Sequence, residues 1–171
     1  MSLKGKKVLM IVPDDNFRDE ELFKPMELFK EHGAEVKIAS TTMEEINGMM
    51  GTSIFADMLL EDVSAEEYDC VIFVGGKGAI KYFKDDRAHR IAKQASYKIL
   101  GAICVAPAIL AEAGVLKDKK ATCFGAMSTI LERNGAKIVK QAVVEDGNIV
   151  TANGPSASDE FASMIKQKLE S

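Results

Sequence analysis

Short, unbroken apolar runs of strand length recur along this chain, and most are followed by an amphipathic stretch of helix length. Val8-Leu9-Met10-Ile11-Val12 is a continuous one, and Glu35 to Ala39, Tyr68 to Val74 and Ile99 to Ile103 read as the strands that follow it. A strand that is apolar at every position must be covered on both faces. That is the condition of a parallel sheet between two helix layers, not of an antiparallel sheet with one wet face. The helical stretches carry matching stripes. Leu22, Met26 and Phe29 share one face before the stop at Gly33, and Ala88, Ile91, Ala92 and Ala95 form a stripe behind the acidic start Asp85-Asp86. Val105 to Ala113 is ended by Gly114, and Met127 to Arg133 is closed by Gly135. Phe161, Met164, Ile165 and Leu169 line the last helix. Pro25 is read as lying near the start of its helix, and Ser156 with Asp159 as the capping box of the last one. Ile46 to Leu60, broken by Gly48 and Gly51, reads as a short hairpin excursion. Val143 to Glu145 and Ile149 to Thr151 form a late hairpin through Asp146-Gly147-Asn148. The alternation predicts an α/β fold: one mostly parallel, doubly wound sheet with helices on both faces.

A length of 171 residues with 47% hydrophobic side chains suits one domain spanning 1–171, with residues 1–5 set aside as disordered or non-native. The balance of 22 basic against 26 acidic residues, a net charge of −4, argues against nucleic acid as a partner. No apolar run approaches the roughly 20 residues of a membrane span. The stretch after Lys4, Lys6 and Lys7 is too short for a signal peptide, and three cysteines suit a reducing cytosol, so a cytoplasmic location is expected. With two histidines no metal site is expected, and without a G-x-G-x-x-G or P-loop pattern no phosphate cradle or cofactor is expected.

In doubly wound sheets chemistry collects where strands end at their carboxyl edge. Ala102-Ile103-Cys104-Val105-Ala106 places a thiol at such an end, with small residues two before and two after it, as a nucleophile elbow requires. The helix that follows should lower the thiol pKa. Two readings of Cys104 stand on these residues alone: a reactive nucleophile, or a buried structural cysteine. Cys70 and Cys123 read as core filler. Gly75-Gly76 can turn backbone N–H groups toward a cleft as an oxyanion hole, or form a plain tight turn. Most charges from Asp14 to Glu21 read as a solvated loop and helix start, but Glu21 directly precedes the buried-face residue Leu22, a position from which a carboxyl can point across the sheet edge toward the elbow. A low dielectric and a nearby thiolate would keep that carboxyl protonated. The acidic pair Asp14-Asp15 also suggests a phosphorylated receiver domain. Gly75 and Cys104 stand where that fold needs an Asp and a Lys, which excludes it.

Taken together, Phe17-Arg18-Asp19-Glu20-Glu21-Leu22, Val74-Gly75-Gly76, Ala102-Ile103-Cys104-Val105-Ala106-Pro107, Ala113-Gly114-Val115-Leu116 and Asn153-Gly154-Pro155 resemble the ThiJ/PfpI family of the class I glutamine-amidotransferase-like superfamily. The resemblance spans nearly the whole chain. It implies a flavodoxin-like three-layer sandwich, usually a homodimer, with Cys104 on the elbow and Glu21 as the buried acid facing it. It also implies Gly75, Gly76 and the Val105 N–H as the oxyanion environment, and Phe17, Phe124, Gly154 and Pro155 as cleft-lining residues. Family members include cysteine peptidases, glyoxalases, deglycases and stress chaperones. Peptidase-like members carry His directly after the nucleophile, where this chain has Val105. Phe124 stands where several members have His or Tyr, and Asn153 where Arg is frequent. The surviving Glu–Cys pair resembles the parkinsonism-associated, deglycase-like branch more than the peptidase branch.

The expectation is a cysteine-dependent enzyme of glyoxalase or deglycase type, acting on 2-oxoaldehydes or their adducts in stress protection. A non-catalytic redox-sensing or chaperone-like dimer is the alternative. A peptidase or amidase is a third reading, and it would need His32 or His89 from a partner subunit.

Overall fold

The apolar runs pair side by side, and the pairing sets the site. The computed structural model describes residues 2–170. In chain order the elements are β1 (Lys7–Ile11), α1 (Asp19–Glu31), β2 (Glu35–Ser40), β3 (Ile46–Asn47), β4 (Ser53–Ile54), β5 (Met58–Leu59), β6 (Cys70–Phe73) and α2 (Asp86–Ala95). They continue with β7 (Ile99–Ile103), α3 (Pro107–Glu112), β8 (Lys120–Ala121), α4 (Ser128–Arg133), β9 (Lys137–Ile138), β10 (Val143–Asp146), β11 (Ile149–Ala152) and α5 (Ser158–Glu170). A seven-stranded sheet runs in the order β10-β11-β7-β6-β1-β2-β5. Every neighbour pair in it is parallel except β10 with β11. Val8 of β1 stands opposite Val36 on one side and Cys70 on the other, so the apolar runs lie in register through the sheet centre.

Helices flank this sheet, as the apolar strands require. α1 packs on α5 and α2 on α3, with α5 lying along β7 and β11. Gly101 permits that last approach, because a Cβ there would stand 2.9 Å from Ile165 Cδ1 and from Phe161 Cζ. The chain leaves β1 toward β2 on one side of the sheet and reaches β6 on the other. The reversal of strand order therefore lies between β1 and β6, where ligands collect in open α/β sheets.

Several sequence expectations need correction. Pro25 is inside α1 and buried, seven residues in; its missing N–H deprives the Glu21 carbonyl of an i+4 donor, and burial of the ring offsets the loss. Ser156 makes no cap: a 3-10 turn over Pro155–Ala157 leads into α5 instead. The excursion after β2 forms the β3–β4 hairpin, but Met58–Leu59 then rejoins the main sheet beside β2. Residues 2–5 are not loose, since Leu3 is fully buried and its N–H donates to His32 O at 2.7 Å; Met1 lies outside the described residues. No helix among the described residues is long and apolar enough to cross a membrane.

Candidate active site

Three carboxyl-edge loops converge beside the switch point. Cys104, the first residue beyond β7, adopts φ +67°, a left-handed conformation that costs a non-glycine residue roughly 1–2 kcal/mol. Its neighbours hold it there. The Cys104 N–H donates to Ala152 O at 2.9 Å, the Phe124 N–H donates to Cys104 O at 2.7 Å, and the Ala106 N–H closes the turn on Ile103 O at 3.1 Å. Ala102 and Ala106 are fully buried, which is why the elbow needs small residues at those positions.

Opposite the sulfur, Glu21 in the first turn of α1 is fully buried, and neither carboxyl oxygen meets a donor at hydrogen-bonding distance and angle. The Cys104 thiol and the Gly75 N–H lie close enough to act on its charge, but burial dominates and raises its pKa to about 8. Glu21 is therefore protonated at neutral pH through burial; the nearby thiolate expected to contribute does not, because Cys104 lowers the Glu21 pKa. The thiol departs from expectation. Burial, and then the Glu21 charge, push it up to about 12, against the pull of the Val105 and Gly76 N–H groups. The helix dipole invoked from sequence contributes little. α3 has only six residues and begins three positions after Cys104, so burial outweighs it.

Glycines close the space between the loops after β1 and β6. A Cβ on Gly75 would lie 2.5 Å from Glu21 Oε1, and one on Gly76, at φ +108°, 2.4 Å from the Arg18 N. At Gly78 a Cβ would fall 1.8 Å from Asp15 O. The backbone groups divide their work. The N–H groups of Gly76 and Val105 act on the sulfur, whereas that of Gly75 acts on Glu21.

A cleft of about 350 Å³ opens above Cys104 and Val105, walled by Arg18, Met49, Gly76, Lys77, Ile80, Phe124, Met127 and Pro155. The loops after β1, β6 and β7 thus contribute, together with Phe124 and Met127, Pro155 after β11, and the β3–β4 hairpin. Asp19 brings that hairpin in. It accepts from Met50 N at 2.7 Å and Thr52 N at 3.1 Å, and from the Thr52 hydroxyl. Burial pushes its pKa up, and these hydrogen bonds outweigh it to leave the carboxylate below its usual range.

Of the residues expected to line the cleft, Phe124 and Pro155 do so. Phe17 does not. It is fully buried, its carbonyl accepting from Met49 N at 2.8 Å and its ring 6.3 Å from that of Phe23. Gly154 lines a neighbouring cavity of about 610 Å³ that shares Phe124 and Pro155 with the cleft. Cys70 lies in the core. Cys123, also buried, borders that second cavity. His32 and His89 are bound elsewhere, Nδ1 to Leu28 O at 2.9 Å and Nε2 to Phe83 O at 2.6 Å, and neither borders the cleft. Arg18, Asp19, Met49, Lys77 and Ile80 were not singled out from sequence. Arg18 and Asp19 lie inside the Phe17–Leu22 motif and Lys77 directly follows Gly75-Gly76, so these were within reach of sequence, whereas Met49 comes from a hairpin nothing local connects to the site.

A protein-family model described as the DJ-1/PfpI family matches residues 6–168. The chain belongs to the DJ-1/PfpI family. Its relatives include an uncharacterized protein of Methanocaldococcus jannaschii, 37% identical over 174 residues covering 99% of this chain and 85% of the relative. A deglycase of Pyrococcus horikoshii is 34% identical over 152 residues, or 88% and 91% of the two chains. Among solved structures, a ThiJ/PfpI domain protein from Brachyspira murdochii superposes with a TM-score of 0.94 at 35% identity, covering 98% of each chain. Drosophila melanogaster DJ-1beta gives 0.86 at 27%, over 99% of this chain and 91% of its own. Within this DJ-1/PfpI fold, the elbow of this chain sits beside the Glu21 carboxyl, and among the described residues no imidazole borders its cleft.

Proposed function

We propose that this protein is a cofactor-independent cysteine enzyme of glyoxalase or deglycase type, acting on 2-oxoaldehydes or their early adducts. One observation carries the reading. The Cys104 sulfur lies at the floor of a cleft between a protonated Glu21 and the N–H groups of Gly76 and Val105. The deglycase names of relatives from Pyrococcus abyssi, Pyrococcus horikoshii and Pyrococcus furiosus support it. The wider role that goes with it is protection against carbonyl stress, in a homodimer of the kind the resemblance implies.

The chemistry follows from a pair that is neutral at rest. As the sulfur bonds to the aldehyde carbon, the thiol proton passes to one Glu21 oxygen while the other gives its proton to the new alkoxide, which the two N–H groups hold. The same carboxyl then moves a proton from that carbon to the neighbouring carbonyl oxygen, and from the first oxygen to the second carbon. This leaves a 2-hydroxy thioester. Water releases the 2-hydroxy acid and restores the thiol. The reaction is an internal redox exchange and needs no external oxidant.

Lactate formation from methylglyoxal by the purified protein tests the reading. Cys104→Ala is expected to abolish turnover and Glu21→Gln to lower it by roughly 10²–10⁴-fold. Turnover that survives Cys104→Ala overturns it.

A further inference from the structure

The cleft above Cys104 is locally positive on a chain whose net charge is −4. Two of its wall residues, Arg18 and Lys77, are cations, and none is an acid. Arg18 is held in place twice. Its backbone N–H donates to Gly75 O at 3.0 Å, and its Nε and Nη2 donate to Glu20 Oε1 and Oε2 at 2.9 and 3.0 Å. That contact uses one side edge of the guanidinium. A guanidinium has five N–H donors, so the end-on edge formed by Nη1 and the second Nη2 hydrogen has no hydrogen-bond partner among the described residues. The Lys77 ammonium likewise has no acid partner among the described residues. Nearby Lys81, in contrast, is engaged by Asp14 at 2.8 Å and Asp15 at 2.9 Å. With Glu20 offsetting Arg18, one uncompensated positive charge remains at the cleft.

The rest of the wall decides what that charge suits. Met49, Ile80, Phe124 and Met127 are apolar. An ionic hydrogen bond beside such a wall is less screened than one in open water, and a planar end-on fork matches the two oxygens of a carboxylate. We infer that the cleft selects electrophiles whose carbon skeleton carries a carboxylate, with the end-on edge of Arg18 as its anchor and Lys77 as a supporting charge. This inference rests on the enzyme reading above and names its substrate class: acidic 2-oxoaldehydes rather than neutral ones.

The probe is 4,5-dioxopentanoate beside its neutral methyl ester. With one water, the acid gives 2-hydroxyglutarate: the aldehyde carbon is oxidised to a carboxylate, the adjacent ketone is reduced to an alcohol, and one proton is released. Steady-state kinetics on the wild type, Arg18→Gln and Glu20→Gln form the test. The wild type is expected to favour the acid by roughly 10- to 100-fold in kcat/KM. Arg18→Gln should erase that preference through KM for the acid. Glu20→Gln should move the other way and lower KM for the acid several-fold, because it frees both the second guanidinium edge and its charge. A purely structural ion pair would make both variants lose on both substrates alike, which overturns the inference, as does equal wild-type use of acid and ester. A wild type that turns over methylglyoxal but neither probe overturns the inference, and if it turns over none of the three, the enzyme reading fails. Calorimetric titration with glutarate then decides the anion site by itself: binding lost in Arg18→Gln upholds it, and no binding to the wild type overturns it.

Discussion

Glu21 and Cys104 face each other from two different strand–helix junctions, and burial holds both in their protonated forms. One proton-rich, neutral pair therefore sits where the sequence, read for its helix dipole, predicts a thiol of lowered pKa. In the proposed mechanism the nucleophile is therefore conditional: its charge would develop only as substrate oxygen reaches the Gly76 and Val105 N–H groups.

The pair can be titrated directly. The Glu21 charge is the second cause holding the Cys104 thiol high, after burial. Glu21→Gln removes that charge and is expected to move the thiol titration to lower pH, read as thiolate absorbance in the ultraviolet with Cys104→Ala as the blank. A move to higher pH would mean that the carboxyl donates to the thiolate and stabilises it.

The same carboxyl makes stability pH-dependent. Its folded pKa of about 8 lies above the ordinary 4.5, so between those values the folded chain binds more protons than the unfolded chain, and stability falls as pH rises. The stabilisation is fully present below pH 4.5 and is lost through pH 8, on the order of 5 kcal/mol across the window. Denaturant midpoints should decline over this range in the wild type and decline less in Glu21→Gln. Parallel curves would show that Glu21 is ionised in the fold.

How legible the site was from sequence depends on the range of the interactions that set it. Cys104 was recognisable because its requirement is local, with small residues at Ala102 and Ala106 around a strand end. Glu21 was recognisable because it adjoins Leu22 on a buried face. Phe17 was misplaced because its burial depends on the β3–β4 hairpin, whose Met49 N–H bonds the Phe17 carbonyl. The thiol pKa was misjudged for a related reason. A helix dipole can be read from residue order, but the depth to which β6, β7 and α1 bury Cys104 cannot. Sheet order was only partly legible, since β5 is two residues long and its pairing with β2 has no local signature.

The glycine seam between the loops after β1 and β6 is a close backbone approach, so it should tolerate nothing larger. A methyl group on Gly78 would fall 1.8 Å from Asp15 O, whereas one on Gly125 meets nothing within 4 Å. Gly78→Ala is expected to cost about 1–3 kcal/mol or more and to depress turnover with it, because the seam positions Arg18 and Gly76. Gly125→Ala should leave the melting temperature nearly unchanged. Equal behaviour of the two variants would mean that the loops can separate at little cost.

The elbow itself predicts an inversion of the usual ranking of small residues. At an ordinary site Ala is better tolerated than Gly, because Gly gives the unfolded chain more freedom. Cys104 sits at φ +67°, pinned by Ala152 O and the Phe124 N–H, so a residue with a Cβ carries the left-handed strain in the fold and glycine does not. Both Cys104→Ala and Cys104→Gly lose the sulfur; glycine also loses the Cβ, and that slightly larger void only partly offsets the strain it relieves. Thermal or urea unfolding should therefore find Cys104→Gly at least as stable as Cys104→Ala, by up to about 1 kcal/mol. If Cys104→Ala proves clearly the more stable, the elbow relaxes out of the left-handed region once the thiol is gone. The strain would then be imposed by the Glu21–Cys104 contact rather than by the backbone clamp.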